Sequence, residues 1–320
     1  MVILAMILLV ITSVIGQAQK TWKGATSRLS QFREARQAFD TVSRNLRQAM
    51  INSYGDYLPR ATPFNPPPPP GIVRKAELGI RFDKASAIVT GGSSAAELPG
   101  SAVVFQAPLG QTAVADYRPL KNLLCVRGYF VRFGSDESFM PVGLRSRLKE
   151  RYRYRLIEYA PPTETNPVYV EGAVGAWTTI SESSGQDYLR VVANNVLALV
   201  LAPTFNDGAA GNTPTELGES VQDPMYVFNS FDVGNSYNQR STNHRMPAAT
   251  QVIMVAVDDE SAARMISGET SPDILRQAGA EFTNPQSIEK DVATLRQYMN
   301  AQKYNFRIFS SNVFLLSNDL

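Results

Sequence analysis

Residue types that commonly carry out catalysis are scarce in this 320-residue chain, which has one histidine and one cysteine. The single cysteine, Cys125, excludes an intrachain disulfide, a Cys-x-x-Cys redox pair and a cysteine-rich zinc site. The single histidine, His244, excludes motifs that need two histidines, and a Ser-His-Asp or Cys-His arrangement would have to use it. No Gly-x-Ser-x-Gly, Walker A or Gly-x-Gly-x-x-Gly motif is present. We therefore expect a protein that is not an enzyme, with no cofactor and no small-molecule substrate.

Three consecutive acids, Asp258, Asp259 and Glu260, are the candidate metal ligands of the chain. Calcium binds carboxylate oxygens, so a cluster that follows an apolar strand could hold that ion. Consecutive side chains point in different directions, however, and acids also suit the first turn of a helix, where the backbone carries a partial positive charge. Helix capping is therefore the favoured interpretation, and we expect no bound metal.

Basic residues recur at every second position ahead of and within a segment that alternates basic and aromatic residues. On a strand, side chains at this spacing line one face, which would make a contact surface for nucleic acid or another polyanion. A solvated or ion-paired sheet face is the favoured alternative. The basic residues are Arg145, Arg147, Lys149, Arg151, Arg153 and Arg155.

The elements that must position these groups begin with an apolar N-terminus. Residues Met1 to Ile11 are all apolar, and no charged residue appears before Lys20. A secretory signal peptide begins with basic residues, and none precede this run. We predict that residues 1–16 form a helix segment embedded in a membrane or in the core of a filament. The side chains expected to contact lipid or partner helices are Val2, Ile3, Leu4, Ile7, Leu8, Leu9, Val10 and Ile11.

An amphipathic pattern follows the apolar run, with apolar residues mainly three or four positions apart. This spacing predicts that residues 17–58 continue the same helix and that its apolar stripe packs on a globular head. The segment before about residue 20 should project away from that head. The stripe consists of Trp22, Leu29, Phe32, Phe39, Val42 and Leu46.

The remainder of the chain predicts a Pro-rich spacer at residues 59–75 and a β-rich head at residues 76–320. Pro66 to Pro70 should adopt a polyproline II conformation. Long loops are expected at 206–223 and 231–245, and a late helix capped by Asn284 should precede the last strand. The fold class is therefore α+β, with a long helix against a mostly antiparallel sheet. Predicted strand regions cover 101–107, 123–133 with a bulge at Gly128, 151–159, 189–203, 251–257 and 304–316.

Several strings, in order along nearly the whole chain, resemble the Verru_Chthon cassette protein C family of prepilin-like proteins. This resemblance implies a relation to minor pseudopilins of type II secretion and type IV pilus systems. Such proteins share a long N-terminal helix, half embedded in the membrane and half packed on a head. The strings are Gln31–Arg36, Ala38–Phe39, Leu98–Gly100, Phe105–Leu109, Gly128–Val131, Tyr152–Leu156, Ala193–Val196, Val255–Ala262 and Phe306–Ser310.

One feature departs from that family. Prepilins carry a Gly-Phe peptidase site and a Glu five residues into the mature chain, whereas Met1 already lies within the apolar run. We expect the natural start to lie upstream, with Met1 near the tenth mature residue. The seven Lys and Arg residues between positions 17 and 53 favour a cytoplasmic head by the positive-inside rule. The family topology instead places the head on the extracytoplasmic side, and we adopt that topology.

The sequence thus predicts a single-pass inner-membrane protein of a bacterium with a periplasmic or extracytoplasmic head. Its expected partners are membrane lipid and the sister prepilin-like subunits of its cassette. Its expected function is structural, as a subunit resembling a minor pseudopilin. The alternative is a minor pilin that binds DNA or another polyanion through residues 145–155.

Overall fold

The structure is a computed structural model of the chain. It describes residues 2–57, 72–110, 112–120, 122–145, 147, 149–166, 176–206, 220–222, 227–231, 244–266, 268–280, 282, 284 and 287–315. Among these residues, no helix is both long enough and apolar enough to cross a membrane.

Helices and strands mix along the chain after a long first helix. The helices are α1 Val2–Leu46, α2 Ala85–Ile88, α3 Val142–Arg145, α4 Glu182–Gly185, α5 Asp259–Met265, α6 Ile274–Ala278 and α7 Ile288–Ala301. The strands are β1 Tyr54–Tyr57, β2 Ile72–Lys75, β3 Ile80–Lys84, β4 Val89–Thr90, β5 Ser101–Ala107, β6 Cys125–Ser135, β7 Tyr152–Tyr159, β8 Ile180–Ser181, β9 Leu189–Asn194, β10 Val196–Asn206, β11 Ser220–Gln222, β12 Phe228–Asn229, β13 Ala249–Val257 and β14 Phe306–Phe314.

Two antiparallel sheets form the head. A six-stranded sheet has the order β12-β3-β5-β6-β7-β9, and a four-stranded sheet has the order β11-β10-β13-β14. Every neighbouring pair within these two sheets is antiparallel. Two short pairs accompany them, β1 with β2 and the parallel pair β4 with β8. The prediction of an α+β fold with mostly antiparallel sheets is confirmed.

The main hydrophobic core lies between the two sheets, where β10 contacts β5, β6 and β7. Strands β10 and β13 are buried along nearly their whole apolar stretches, which explains why they read as continuous apolar runs instead of alternating ones. The opposite face of the six-stranded sheet has a second core of its own. It includes Val104, Phe130, Ile157, Trp177 and Ile180.

The predicted strand at 189–203 is in fact two strands that belong to different sheets. Asn195 separates β9 from β10 and has a φ of 56°, a left-handed conformation that asparagine adopts more readily than most residues. Its N–H donates to the carbonyl of Tyr154 at 2.8 Å, and its own carbonyl accepts from the N–H of Val257 at 3.0 Å. These two bonds link the sheets at the point where the chain passes from one to the other.

The first helix ends at Leu46, so the predicted continuation to residue 58 is wrong. After two turn residues, the N–H of Met50 donates to the carbonyl of Gln106 at 2.9 Å. The side chain of Asn52 then accepts from the N–H groups of Glu77 and Leu78, which fixes the chain outside the helix. Residues 54–57 form β1, and residues 72–75 of the predicted spacer form β2. The Pro66–Pro70 run lies outside the described residues.

Two further local predictions are corrected. Helix α7 begins after Ser287 as its N-cap, and the carbonyl of Asn284 accepts from the Ser287 N–H and hydroxyl, so Asn284 is not the N-cap. Strand β6 has no bulge at Gly128, because its pairing with both neighbours is regular there. A Cβ at this position would lie 2.7 Å from the Cδ1 of Ile180, so any larger residue needs that buried side chain to shift.

Candidate helix-docking site

The last third of α1 lies on the head along a buried apolar stripe. Phe39, Val42 and Leu46 are at most 5% exposed, and Ala35 and Ala38 are buried beside them. The two alanines are small, which lets the helix backbone approach the strands closely. The ring of Phe39 packs against that of Phe309 on β14, with centroids 5.8 Å apart. At about 1.5–3 kcal/mol for each large buried side chain, this contact contributes substantially to the stability of the head.

The N-terminal part of the predicted stripe does not dock on the head. Trp22 is 76% exposed and Leu29 is 62% exposed, so the prediction that they pack there is wrong. Phe32 is half-buried beneath the guanidinium of Arg307, 5.7 Å from the ring centroid. The physical reason is geometric. Buried side chains of α1 begin at Ala35 among the residues whose side chains are described, and the described large apolar side chains before Gln31 are exposed.

A polar cluster fixes the point at which α1 meets the head. A Glu34 carboxylate oxygen accepts from the Asn194 backbone N–H at 2.9 Å and from its side-chain amide at 3.2 Å. One turn earlier, the side-chain oxygen of Gln31 accepts from the Asp259 N–H at 2.9 Å. Glu34 therefore holds the helix to the end of β9, and Gln31 holds it to the start of α5.

The three acids form part of this cluster as capping and pairing groups. Asp258 is the N-cap of α5, and its carboxylate accepts from the Ser261 N–H at 2.8 Å. Asp259 accepts from Arg153 at 2.8 Å and from the side-chain amide of Asn195 at 2.5 Å. Glu260 lies exposed in the first turn of α5. The favoured interpretation of the acids as a helix cap is confirmed. Within the described residues, no group of three His, Cys, Asp or Glu side chains is arranged to hold a metal.

A second polar contact lies near the C-terminal end of α1. The side-chain amide of Asn45 donates to the Tyr129 hydroxyl at 2.6 Å, and this hydroxyl donates to the Glu158 carboxylate at 2.7 Å. Tyr129 is fully buried on β6, and its pKa is raised, first by burial and then by the negative charge of Glu158. The tyrosine therefore stays protonated, and this bonded chain connects the helix to the inner face of the six-stranded sheet.

The six basic residues do not form one face of a strand. Arg145 ends helix α3, and Arg147 and Lys149 lie between α3 and β7. Within β7, Arg155 is 4% exposed and donates to the carbonyls of Gly134 and Ser135. Burial lowers the pKa of Arg155 to about 10. Arg153 is paired with Asp259, as described above, and Arg151 lies immediately before β7. The predicted polyanion face is therefore wrong as a geometric arrangement.

The two rare residues have structural surroundings. Cys125 is fully buried at the start of β6, with its sulfur 3.5 Å from the Ala107 carbonyl oxygen. His244 has a φ of 55° and its ring packs edge-on against Phe231, with centroids 5.9 Å apart. The side chains of the apolar residues from Val2 to Val10, other than Met6, lie outside the described part. Ile11 is 51% exposed.

Sequence reasoning did not identify the polar contacts of α1. Three segments meet at the polar cluster: Gln31–Arg36 on α1, Ala193–Val196 at the junction of β9 and β10, and Val255–Ala262 from the end of β13 into α5. Segments more than 150 residues apart in the chain thus supply one docking site.

No protein-family model matches the chain, and comparisons with curated proteins and with solved structures find no match either.

Proposed function

We propose that this protein is a non-enzymatic subunit of a membrane-anchored assembly, resembling a minor pseudopilin of a type II secretion or type IV pilus-like system. It acts by packing. The N-terminal part of α1 anchors the chain in the inner membrane and contacts sister subunits, while the head lies on the extracytoplasmic side. The polar and apolar contacts of residues 31–49 hold the head at a fixed orientation to that helix.

The observation that supports this proposal is the contrast between the two parts of α1. From Gln31 onward the helix is fixed by buried side chains and by hydrogen bonds to β9, α5 and β6. Before Gln31, its described large apolar side chains are exposed to water, and an exposed apolar surface of this size is typical of a membrane or protein contact. These side chains are Met6, Ile11, Val14, Ile15, Trp22 and Leu29.

The polar clusters favour a structural role over a catalytic one. Glu34, Asp258 and Asp259 are engaged in helix docking and capping, and Tyr129 is buried beneath α1. These groups form their hydrogen bonds with other groups of the protein and not with a substrate. The nucleic-acid alternative receives no support from the arrangement of the basic residues, because Arg153 and Arg155 already have partners within the head.

Membrane anchoring can be tested with the double variant Leu8→Arg with Val10→Arg. A charged side chain at the centre of a spanning helix costs about 2.5–3.5 kcal/mol, so two of them should release the protein from membranes and abolish co-purification with sister subunits. The matched control is Gln17→Arg with Gln19→Arg, which places two arginines at the same spacing beyond the apolar run. Membrane retention of the first variant equal to that of the control would contradict the proposal.

The position of the head can be tested with a single exposed cysteine. Cys125 is buried, so Ala115→Cys, in an exposed 3₁₀ turn, provides the reactive thiol. A membrane-impermeant maleimide should label this variant in cells whose outer membrane alone has been permeabilised. Labelling only after the inner membrane is broken would place the head in the cytoplasm.

A further inference from the structure

A groove of about 520 Å³ lies between the C-terminal half of α1 and strand β14. The helix side carries Arg36, Asp40, Arg44 and Arg47, and the strand side is formed by Ile308–Ser311. Arg36 and Arg44 lie eight positions apart on α1, so the helical wall is about 12 Å long, and Arg47 lies in the turn that follows the helix. The four strand residues span about 10 Å along β14.

The groove is basic. Three arginines and one aspartate line it, and Asp40 already pairs with Arg36 at 3.2 Å. Arg44 and Arg47 are exposed, and neither forms an ion pair within the part of the chain that the structure describes. The groove therefore presents two positive charges that the described head does not neutralise.

The strand side of the groove offers backbone hydrogen-bonding groups. Strand β14 is the last strand of its sheet as described, and pairs only with β13. Alternate backbone groups of an edge strand point away from its partner and can pair with another strand.

We propose that this groove binds an extended, acidic segment of a sister subunit. The segment adds to the edge of β14 through backbone hydrogen bonds, and its carboxylates pair with Arg44 and Arg47. Side chains on one face of a strand repeat every two residues, so an acid at every second position presents its carboxylates to the arginine wall. This inference rests on the proposed function for the identity of its partner, while the chemistry of the groove is independent of membrane anchoring.

The test uses the full chain in detergent micelles and a fluorescent eight-residue peptide of alternating Asp and Val. Binding measured by anisotropy should weaken at least tenfold in Arg44→Gln with Arg47→Gln. It should not change in the matched control Arg118→Gln with Arg296→Gln, which removes two exposed arginines elsewhere. N-methylation of alternate peptide bonds should abolish binding, and the unmodified peptide should slow amide exchange in residues 306–314.

Three results would overturn the proposal. These are equal affinity for an alternating Lys and Val peptide, unchanged affinity in the Arg44 and Arg47 variant, or arginine-dependent binding of a single-stranded DNA oligonucleotide in place of the peptide. Failure of the groove can be distinguished from failure of the anchor. If Leu8→Arg with Val10→Arg stays on membranes while the acidic peptide binds, the anchor is wrong and the groove stands. If that variant leaves the membrane while the acidic peptide does not bind to the wild type, the groove is wrong and the anchor stands.

Discussion

Two leucines of α1 have the same chemistry and opposite surroundings, and their replacement by alanine tests how the helix docks. Leu46 is fully buried, whereas Leu29 is 62% exposed. We predict that Leu46→Ala strongly lowers the free energy of unfolding of the head and that Leu29→Ala leaves it nearly unchanged.

The expected magnitude follows from the surroundings of each side chain. Truncating a buried leucine costs about 2–5 kcal/mol, with larger values where the site cannot collapse. The chain just after Leu46 is held in place by hydrogen bonds. The N–H of Met50 donates to the Gln106 carbonyl at 2.9 Å, and the side chain of Asn52 accepts from two backbone N–H groups, so the cavity left by truncating Leu46 cannot easily collapse. We therefore expect about 3–5 kcal/mol for Leu46→Ala. An exposed truncation is expected to stay within about 0.5 kcal/mol.

Urea unfolding followed by tryptophan fluorescence can measure both changes. Trp177 is 2% exposed in the second core and reports on the head, whereas Trp22 is 76% exposed, so Trp22→Phe provides the background. With a slope of about 3 kcal/mol/M, the midpoint for Leu46→Ala should fall by about 1–1.7 M. A loss below about 1 kcal/mol for Leu46→Ala, or equal losses for the two variants, would refute the docking geometry.

Three further predictions concern the head. Glu34→Gln should cost about 1–2 kcal/mol in urea unfolding, because a charged acceptor of two bonds from Asn194 becomes neutral, and strict additivity with Asn194→Ala would contradict that pairing. Burial raises the pKa of Tyr154 to about 12 from 10.0. Above pH 10 the unfolded tyrosine ionises before the buried one, so the contribution of Tyr154 to the free energy of unfolding is complete below pH 10 and is lost as the pH rises towards 12. Between pH 8 and pH 11 the wild type should lose about 1.4 kcal/mol more than Tyr154→Phe, and parallel pH profiles would disprove this. Gly128→Ala should lower the free energy of unfolding by about 1–3 kcal/mol, because its Cβ meets the Cδ1 of Ile180. Adding Ile180→Val, which removes that Cδ1, should restore part of the loss. If the second substitution restores nothing, the clash with Ile180 is not the cause.

Local patterns predicted the strands and the cap because these depend on neighbouring residues. The carboxylate of Asp258 reaches an N–H only three residues away, so the cap could be read directly from the sequence. The helical spacing of Phe39, Val42 and Leu46 likewise predicted a buried face.

The same spacing continues through Trp22 and Leu29, and periodicity does not reveal where the packing partner ends. The spacing therefore predicts that both residues pack on the head, whereas both are exposed beyond it. An apolar stripe fixes which face of a helix is covered. It does not fix which protein or lipid covers it.

Contacts between distant segments could not be predicted from one sequence. Arg155 is buried because the carbonyls of Gly134 and Ser135, 20 or more residues away, accept from its guanidinium. The bond from Asn45 to Tyr129 joins residues 84 positions apart. The change of sheet at Asn195 depends on bonds to Tyr154 and Val257, and nothing in the run from 189 to 203 indicates it.

The central claim is that the exposed part of α1 packs against other subunits, and photo-crosslinking in native cells tests it most directly. Benzoylphenylalanine in place of Trp22 should form crosslinks to the N-terminal helix of another membrane protein, identifiable by mass spectrometry. The control is the same group in place of Tyr117, which is 50% exposed in a short turn of the head. Specific protein crosslinks from position 22 that are absent from position 117 are the predicted result. Crosslinks from position 22 only to water-soluble proteins, or none beyond the control, would contradict the account.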